Sequence, residues 1–265
     1  MKGSPIILTT DFGLSDEYVG VLKGVILSIN PHATIIDLSH GIPPQATGRA
    51  AEVLCKNYRY FPAGSIHVCV VDPGVGTERR IVVVRGCNQF FIGPDNGVFS
   101  RILETDQAAE VYELTNSDWF LEDISTTFHG RDIMAPAAAR LSLGASINEV
   151  GPLISTDSCV TTTTTPPLVS ETGIRGEISA IDRFGNLITN IEEGILIDFG
   201  LSPRFAIRIK SQLLQLHQGS YGHLPDNQPA AIINSSSMLE ICVKNGNAAA
   251  ILEVGIGERV VVKTK

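Results

Sequence analysis

Two alternating periodicities of apolar residues run through the first half of the chain. Ile6-Ile7-Leu8-Thr9-Thr10 is a short apolar, β-rich run, the pattern of a buried strand. After Ser15, which is placed to cap a helix, Val19, Leu22, Ile26 and Ile29 recur at spacings of three and four and form one helical face. Residues 34–38 predict a second strand and 46–58 a second helix. Residues 66–71, 81–84 and 90–92 predict three further strands, and 98–103 and 133–143 predict helices. Strands alternating with helices predict an α/β domain whose mostly parallel central sheet is covered on both faces.

The pattern changes near residue 155. Thr161 to Thr165, followed by Pro166-Pro167, suits neither a helix interior nor a central strand. Residues 155–173 therefore read as a connection between an N-terminal α/β domain, residues 1–160, and a C-terminal β domain, residues 174–265. In the latter, short strand patterns at 176–181, 205–209, 230–234, 239–243 and 259–263 are separated by turn residues. This predicts a small β-barrel-like or sandwich domain.

Composition narrows the class. The chain has 265 residues, 43% hydrophobic and 18% charged, which suits a globular protein with a substantial core. No apolar run approaches the ~18 residues of a membrane span, and Met1 to Pro5 is too short for a secretory leader. No membrane partner and a cytoplasmic location are expected. The net charge of −8 without a basic run argues against a nucleic-acid partner. Five widely spaced cysteines with no CxxC fit neither a zinc ribbon nor a disulfide framework.

Four loops pack Asp, Gly, His or Arg behind apolar segments, and ligands of open α/β sheets bind outside the carboxyl ends of strands. Asp11 follows a strand end, where a carboxylate can accept both hydroxyls of a ribose. Asp16 lies at a helix start, where the dipole favours an anion, and is equally well read as a cap. In Asp72 to Arg80, Gly74 and Gly76 permit close backbone approach, and Arg79 or Arg80 can pair with Asp72. The plain alternative is a hairpin turn with an ion pair, and the Gly-Lys-Ser/Thr ending of a phosphate-binding loop is absent. Pro94-Asp95-Asn96-Gly97 is also an ordinary turn. His129, beside Gly130 and ahead of a helix, offers a proton-transfer group.

Asp11, Asp16, Asp72, His129 and Asp132 are the residues that would have to gather around a cation. No HxH, HExxH or EF-hand spacing supports this, and no metal is expected. A GxSxG elbow is also absent. In the C-terminal half, the segment Asp182 to Asn190 carries Phe184, an aromatic face, and Asn186, an amide suited to an adenine edge. Asn234 to Ile241 is a second candidate. Either segment is equally a β-turn.

The ordered set TDFG, DPGVGTERR, PDNG, FHGRD and DRFGNLITN is far more specific than any one member. It resembles the S-adenosylmethionine hydroxide adenosyltransferase family, relatives of the fluorinases and chlorinases, over nearly the whole chain. The resemblance implies an N-terminal α/β domain, a C-terminal β-barrel-like domain, and a homotrimer with substrate at a subunit interface. It implies S-adenosylmethionine as substrate, with no cofactor. Asp11 would hold the ribose hydroxyls, Asp16 and Asp182 the methionine end, Ser235 its carboxylate, and Phe184 and Asn186 the adenine. The Asp-Arg-His set of the hydroxide-using members falls on Asp72, Arg79 and His129.

Halogenating relatives carry tyrosine where this chain has Asp72, threonine at Val75 and, in fluorinases, serine at Gly130 and a loop inserted near residues 85–90. All four differences point away from halide use. Gln45 stands where halogenases place a tryptophan over the methionine chain, and Ser236 where fluorinases have arginine. The expected reaction is attack of water or hydroxide at the ribose C5′, with methionine leaving and either Asp72 or His129 as base. The competing readings are a non-catalytic binder of S-adenosylmethionine or adenosine, a chlorinase, and a metal-dependent phosphoesterase.

Overall fold

The computed structural model describes residues 3–162, 165–200 and 205–264. Its contacts divide the chain into two units, residues 1–163 and 164–265. Thr163 and Thr164 of the threonine tract lie outside the described residues.

The first unit is built on seven strands: β1 (Ile6–Thr10), β2 (Ile35–Ser39), β3 (Ile66–Val70), β4 (Ile81–Gly86), β5 (Gln89–Pro94), β6 (Glu110–Glu113) and β7 (Leu153–Ile154). They lie in the order β2-β1-β3-β5-β4-β6-β7. Alternate residues of the central strands point to opposite faces, and each face has its own core. Val68, Val83 and Ile92 pack with α1 (Tyr18–Ile29) and α4 (Ala135–Ser142). Cys69, Val82, Val84 and Phe91 pack with α2 (Thr47–Asn57) and α3 (Ser100–Thr105).

The mostly parallel sheet read from the sequence is corrected to a mixed one. Only β1–β2, β1–β3 and β3–β5 pair in parallel; β4 runs antiparallel to β5 and β6, and β6 to β7. The cause is local. Cys87 and Asn88 join β4 to β5 with φ of 53° and 58°, the twist of a two-residue hairpin, which cannot make a parallel crossover. A second correction concerns the start of α1: it begins at Tyr18 with Glu17 at its N-cap and no side-chain capping bond, so Ser15 caps nothing.

The second unit holds β8 (Leu168–Ser170), β9 (Gly173–Ile181), β10 (Leu187–Glu192), β11 (Phe205–Ile209), β12 (Gln212–Gln215), β13 (Pro229–Ile233), β14 (Met238–Val243) and β15 (Arg259–Thr264), with short helices α5 (Glu193–Asp198) and α6 (Ala248–Leu252). The order is β12-β11-β15-β9-β10-β14-β13, with β8 beside β9. All ladders are antiparallel. A bridge between Leu216 and Ala231 and the bond from His217 N to Ala231 O (2.8 Å) draw the outer ends together, so the sheet is a nearly closed barrel around Ile174, Leu187, Phe205, Ile241 and Val260. Pro229 opens an end strand, where a missing N–H costs least.

The stretch 155–173 is largely structured. Thr156–Ser158 forms a 3₁₀ turn, Arg80 Nη1 reaches Ser158 Oγ at 3.2 Å, Val160 N donates to Asp95 Oδ1, and β8 pairs with β9.

Candidate active site

Parallel neighbours end at the same edge of a sheet, so β1 and β3 deliver Asp11 and Asp72 to one edge of the first unit. Antiparallel β4 starts there and brings Arg79 and Arg80. Arg79 Nε donates to both Asp72 oxygens, at 2.8 and 2.9 Å, and Nη2 donates to Asp72 Oδ2 as well. The same Nη2 lies 2.9 Å from His129 Nδ1. Arg80 takes a different partner, Asp95, at 2.6 Å.

His129 directly precedes one π turn, Gly130–Met134, that runs into α4; such turns recur at functional sites. Three contacts seat its loop. Asp132, fully buried, accepts from Ser125 N and Oγ, both at 2.8 Å. Phe128 packs edge-on against Phe12 and Tyr18, with centroids at 5.6 and 5.4 Å, tying the His129 and Asp11 loops together. Gly76, at φ +78°, lies so close to Thr126 that a β-carbon would collide with the Thr126 carbonyl.

Guanidinium nitrogen only donates, so the 2.9 Å contact makes His129 Nδ1 an acceptor and puts the ring proton of the neutral imidazole on Nε2. Burial lowers the His129 pKa below its ordinary 6.5, and the Arg79 charge adds to this against the weaker opposing pull of Asp72 and Asp132. Among the described residues nothing accepts from Arg79 Nη1, so two N–H groups are left for water or ligand.

Asp11 is half-buried, and its Oδ2 accepts from Gln45 N at 2.8 Å. Gln45 sits at φ +63°, a strained setting for a non-glycine residue and a mark of functional loops. This partner is missed by sequence reading, which scans side chains, whereas here a main-chain N–H does the holding. Asp16 is exposed two residues before α1 and does not join the hydrogen-bonded set. Pro94 to Gly97 is a clamp: Asn96 Nδ2 holds Val71 O at 2.9 Å, just ahead of Asp72. Among the described residues, no three His, Cys, Asp or Glu side chains are grouped to hold a metal ion.

The second unit carries its own cavity of about 700 Å³, lined by Asp182, Phe184, Asn186, Tyr221 and Lys244 among others. Asp182 Oδ1 accepts from Phe184 N and Asn186 N, and Oδ2 from Asn186 Nδ2, each at 2.8 Å. Asp182 thus shapes the turn while still lining the cavity. The turn needs Gly185, at φ +84°, because a β-carbon there would strike Asn247. It presents Phe184 three-quarters exposed, an open face for stacking, and leaves the Asn186 side-chain Oδ1 to accept, its main-chain carbonyl being bonded to Asp182 N at 3.0 Å. Tyr221, also missed by the sequence reading, donates to buried Glu240 Oε1 at 2.7 Å. Ser235 is exposed on the turn between β13 and β14, away from any contact with the Asp182 turn among the hydrogen bonds described.

A mixed α/β unit with a carboxylate–guanidinium–imidazole set at its strand ends, joined in one chain to a β-barrel unit with an aromatic-walled cavity, defines a class of two-domain small-molecule proteins. Within that class the chain belongs to the SAM hydroxide adenosyltransferase family: residues 6–151 match the family's N-terminal domain and 176–261 its C-terminal domain. It is 37% identical to the (R)-S-adenosyl-L-methionine hydrolase of Salinispora arenicola, over 98% of each chain. It is 30% identical to a fluorinase of Actinoplanes sp., over 78% of each. The crystal structure of an uncharacterized conserved protein from Thermotoga maritima superposes with a TM-score of 0.91 at 34% identity, covering 97% of this chain and 99% of that one.

Proposed function

We propose that the chain hydrolyses S-adenosyl-L-methionine to adenosine and L-methionine by attack of water at the ribose C5′, with a preference for the (R) sulfonium epimer that the hydrolase relatives' name specifies. The observation that carries this reading is the hydrogen-bonded Asp72–Arg79–His129 set. Asp11 would hold the ribose hydroxyls, Phe184 and Asn186 the adenine, and Asp16, Asp182 and Ser235 the methionine end. The homotrimer implied by the resemblance, a cytoplasmic location and the absence of any cofactor belong to the same proposal.

Sulfonium is a good leaving group, so the C–S bond breaks to neutral methionine without an acid. Free water, with a pKa near 15.7, is a poor nucleophile, but it need not ionise first. As the C5′–O bond forms, the attacking water becomes a protonated alcohol, a strong acid that a carboxylate can relieve of its proton. His129 has given its Nδ1 lone pair to Arg79 and carries a proton on Nε2, so Asp72 is the acceptor in this arrangement. Arg79 has five N–H donors and no acceptor; three of them are engaged by Asp72 and His129, and the two on Nη1 are left to orient the water. One proton is released per turnover, balancing the positive charge lost from sulfur. In-line placement of water supplies much of the remaining rate.

Purified protein incubated with each sulfonium epimer in ¹⁸O-labelled water, with and without chloride, is expected to yield labelled adenosine and methionine, unaffected by chloride. Intact substrate from both epimers would instead make the chain a binding protein, and 5′-chloroadenosine a halogenase.

The pH profile follows from the His129 contact. Protonation would place Nδ1–H against an Arg79 N–H, so activity requires the neutral ring. The lowered pKa keeps that form present to lower pH. The acid limb of kcat/KM is therefore expected to have its midpoint below 6.5, and His129→Asn, which keeps an acceptor at the Nδ1 position, should move it to lower pH. A limb centred above 6.5 in wild type, or one unmoved in His129→Asn, would rule this assignment out.

A further inference from the structure

The segment from His40 to Gln45 forms a seat for the loop that carries Asp11. Three bonds tie the two segments: Gly13 N to His40 O at 2.8 Å, Ile42 N to Thr10 O at 3.4 Å, and Gln45 N to Asp11 Oδ2 at 2.8 Å. A fourth comes from a side chain outside the set discussed so far. His40 is buried, with its ring Nδ1 2.9 Å from Thr10 Oγ1. That hydroxyl in turn accepts from Phe12 N at 3.2 Å. The two residues flanking Asp11 are thus both fixed through one hydroxyl, and that hydroxyl is fixed by one imidazole.

The imidazole has its own support. His40 Nε2 lies 3.0 Å from Asp37 Oδ1, off the ideal hydrogen-bond line, and Lys23 Nζ donates to Asp37 Oδ2 at 2.6 Å. Lys23 comes from α1 and Asp37 from β2, so the ring is braced by the elements that flank β1. The β1–β2 ladder shifts register between Leu8 and Thr9, an irregularity of the kind that re-aims side chains at a strand end. A buried imidazole, hydrogen-bonded at Nδ1 and only within ion-pair distance of Asp37 at Nε2, costs desolvation. It has no contact with the Asp72–Arg79–His129 set among the hydrogen bonds described. Its placement is accounted for by the loop it braces.

We propose that His40 is a positioning residue for Asp11, holding the loop from both sides, with its ring on Thr10 and its main-chain carbonyl on Gly13. The inference rests on the reading of Asp11 as the ribose-binding carboxylate. A bidentate carboxylate works only within a narrow range of orientation, so loosening the loop lowers discrimination for the ribose diol before it touches the chemistry at C5′.

The test compares kcat/KM for S-adenosylmethionine with that for its 2′-deoxyribose analogue, in the full-length chain. Asp11→Ala should collapse the preference for the ribose substrate. His40→Leu should lower that preference at least tenfold, mainly through KM, and Thr10→Val, which removes the hydroxyl while the imidazole stays in the chain, should do the same. His40→Asn, which keeps a polar atom where Nδ1 sits, should restore most of it, whereas His40→Gln, which reaches only the Nε2 position, should not. If His40→Leu fails to fold, Thr10→Val carries the comparison. Folded His40→Leu and Thr10→Val proteins with the wild-type preference would overturn the inference while leaving the ribose reading intact. An unchanged preference in Asp11→Ala would overturn the ribose reading and the His40 inference with it.

Discussion

Asp72→Asn is expected to bind substrate within a few-fold of wild type and to lose about 10³-fold in kcat, the middle of the range for removing a general base. Asparagine keeps the shape and one carbonyl oxygen, so Arg79 Nε retains an acceptor where it now has two, at 2.8 and 2.9 Å. What disappears is the group that can take the proton as C5′–O forms. Its replacement amide turns a donor toward the guanidinium, which also weakens the hold on Nη2 and hence on His129. Because Asp72, Arg79 and His129 share one hydrogen-bonded unit, their losses should not add: Asp72→Asn combined with Arg79→Met should be little worse than the more damaging single change. Stopped-time product assays together with calorimetric binding decide the matter. Wild-type kcat in Asp72→Asn would remove this carboxylate from the chemistry. A kcat loss matched by an equal loss of affinity would make it a binding group only.

The residues that are readable in advance share a property. Asp11 and Asp72 stand directly behind strand-like runs and His129 directly ahead of an apolar helical run, so their place at an element end follows from periodicity alone. What joins them does not. Gln45 holds Asp11 with a main-chain N–H from 34 residues away, and His40 reaches Thr10 over 30 residues; no local pattern marks either. The sheet shows the same limit. Strands with continuous apolar runs, such as β3 and β4, are visible, whereas β12 has only Leu214 buried and offers no alternation to read. β10 was hidden by its neighbour: Asp182 to Asn186 carries so many turn residues that the strand starting at Leu187 reads as part of a site loop. The mixed sheet turns on two residues, Cys87 and Asn88, whose left-handed φ values are not favoured by cysteine and come from the hairpin geometry rather than from residue preference.

Asp132 gives the other large expected effect, and it falls on stability and activity together. Its carboxylate is fully buried and takes four bonds: Ser125 N and Oγ at 2.8 Å, and Arg131 Nε at 2.5 Å and Nη2 at 3.1 Å. Asp132→Ala strands two Ser125 donors and the Arg131 charge. Removing one partner of a buried pair costs about 3–5 kcal/mol, and Arg131, a third exposed, can recover some hydration, so a loss of about 3 kcal/mol is expected. Ser125 Oγ also anchors Phe128 N at 3.0 Å, one residue before His129, so kcat should fall by roughly 10²-fold, the cost of about 1 Å of misplacement. Asp132→Asn, which keeps an acceptor for Ser125, should lose less of both. The pH dependence provides an internal check. Burial pushes the Asp132 pKa up, but the bonds from Arg131 and Ser125 outweigh it and hold the group below its ordinary 3.8. A depressed carboxyl pKa contributes stability that is present above the unfolded-state value and lost as pH falls through the folded one. The stability gap between wild type and Asp132→Ala, measured from urea midpoints at constant m, should therefore be full at pH 7 and shrink below about pH 4. A gap under about 0.5 kcal/mol at pH 7, the range of surface substitutions, would mean that the His129 loop is held by Phe128 and Gly76 contacts and not by this carboxylate.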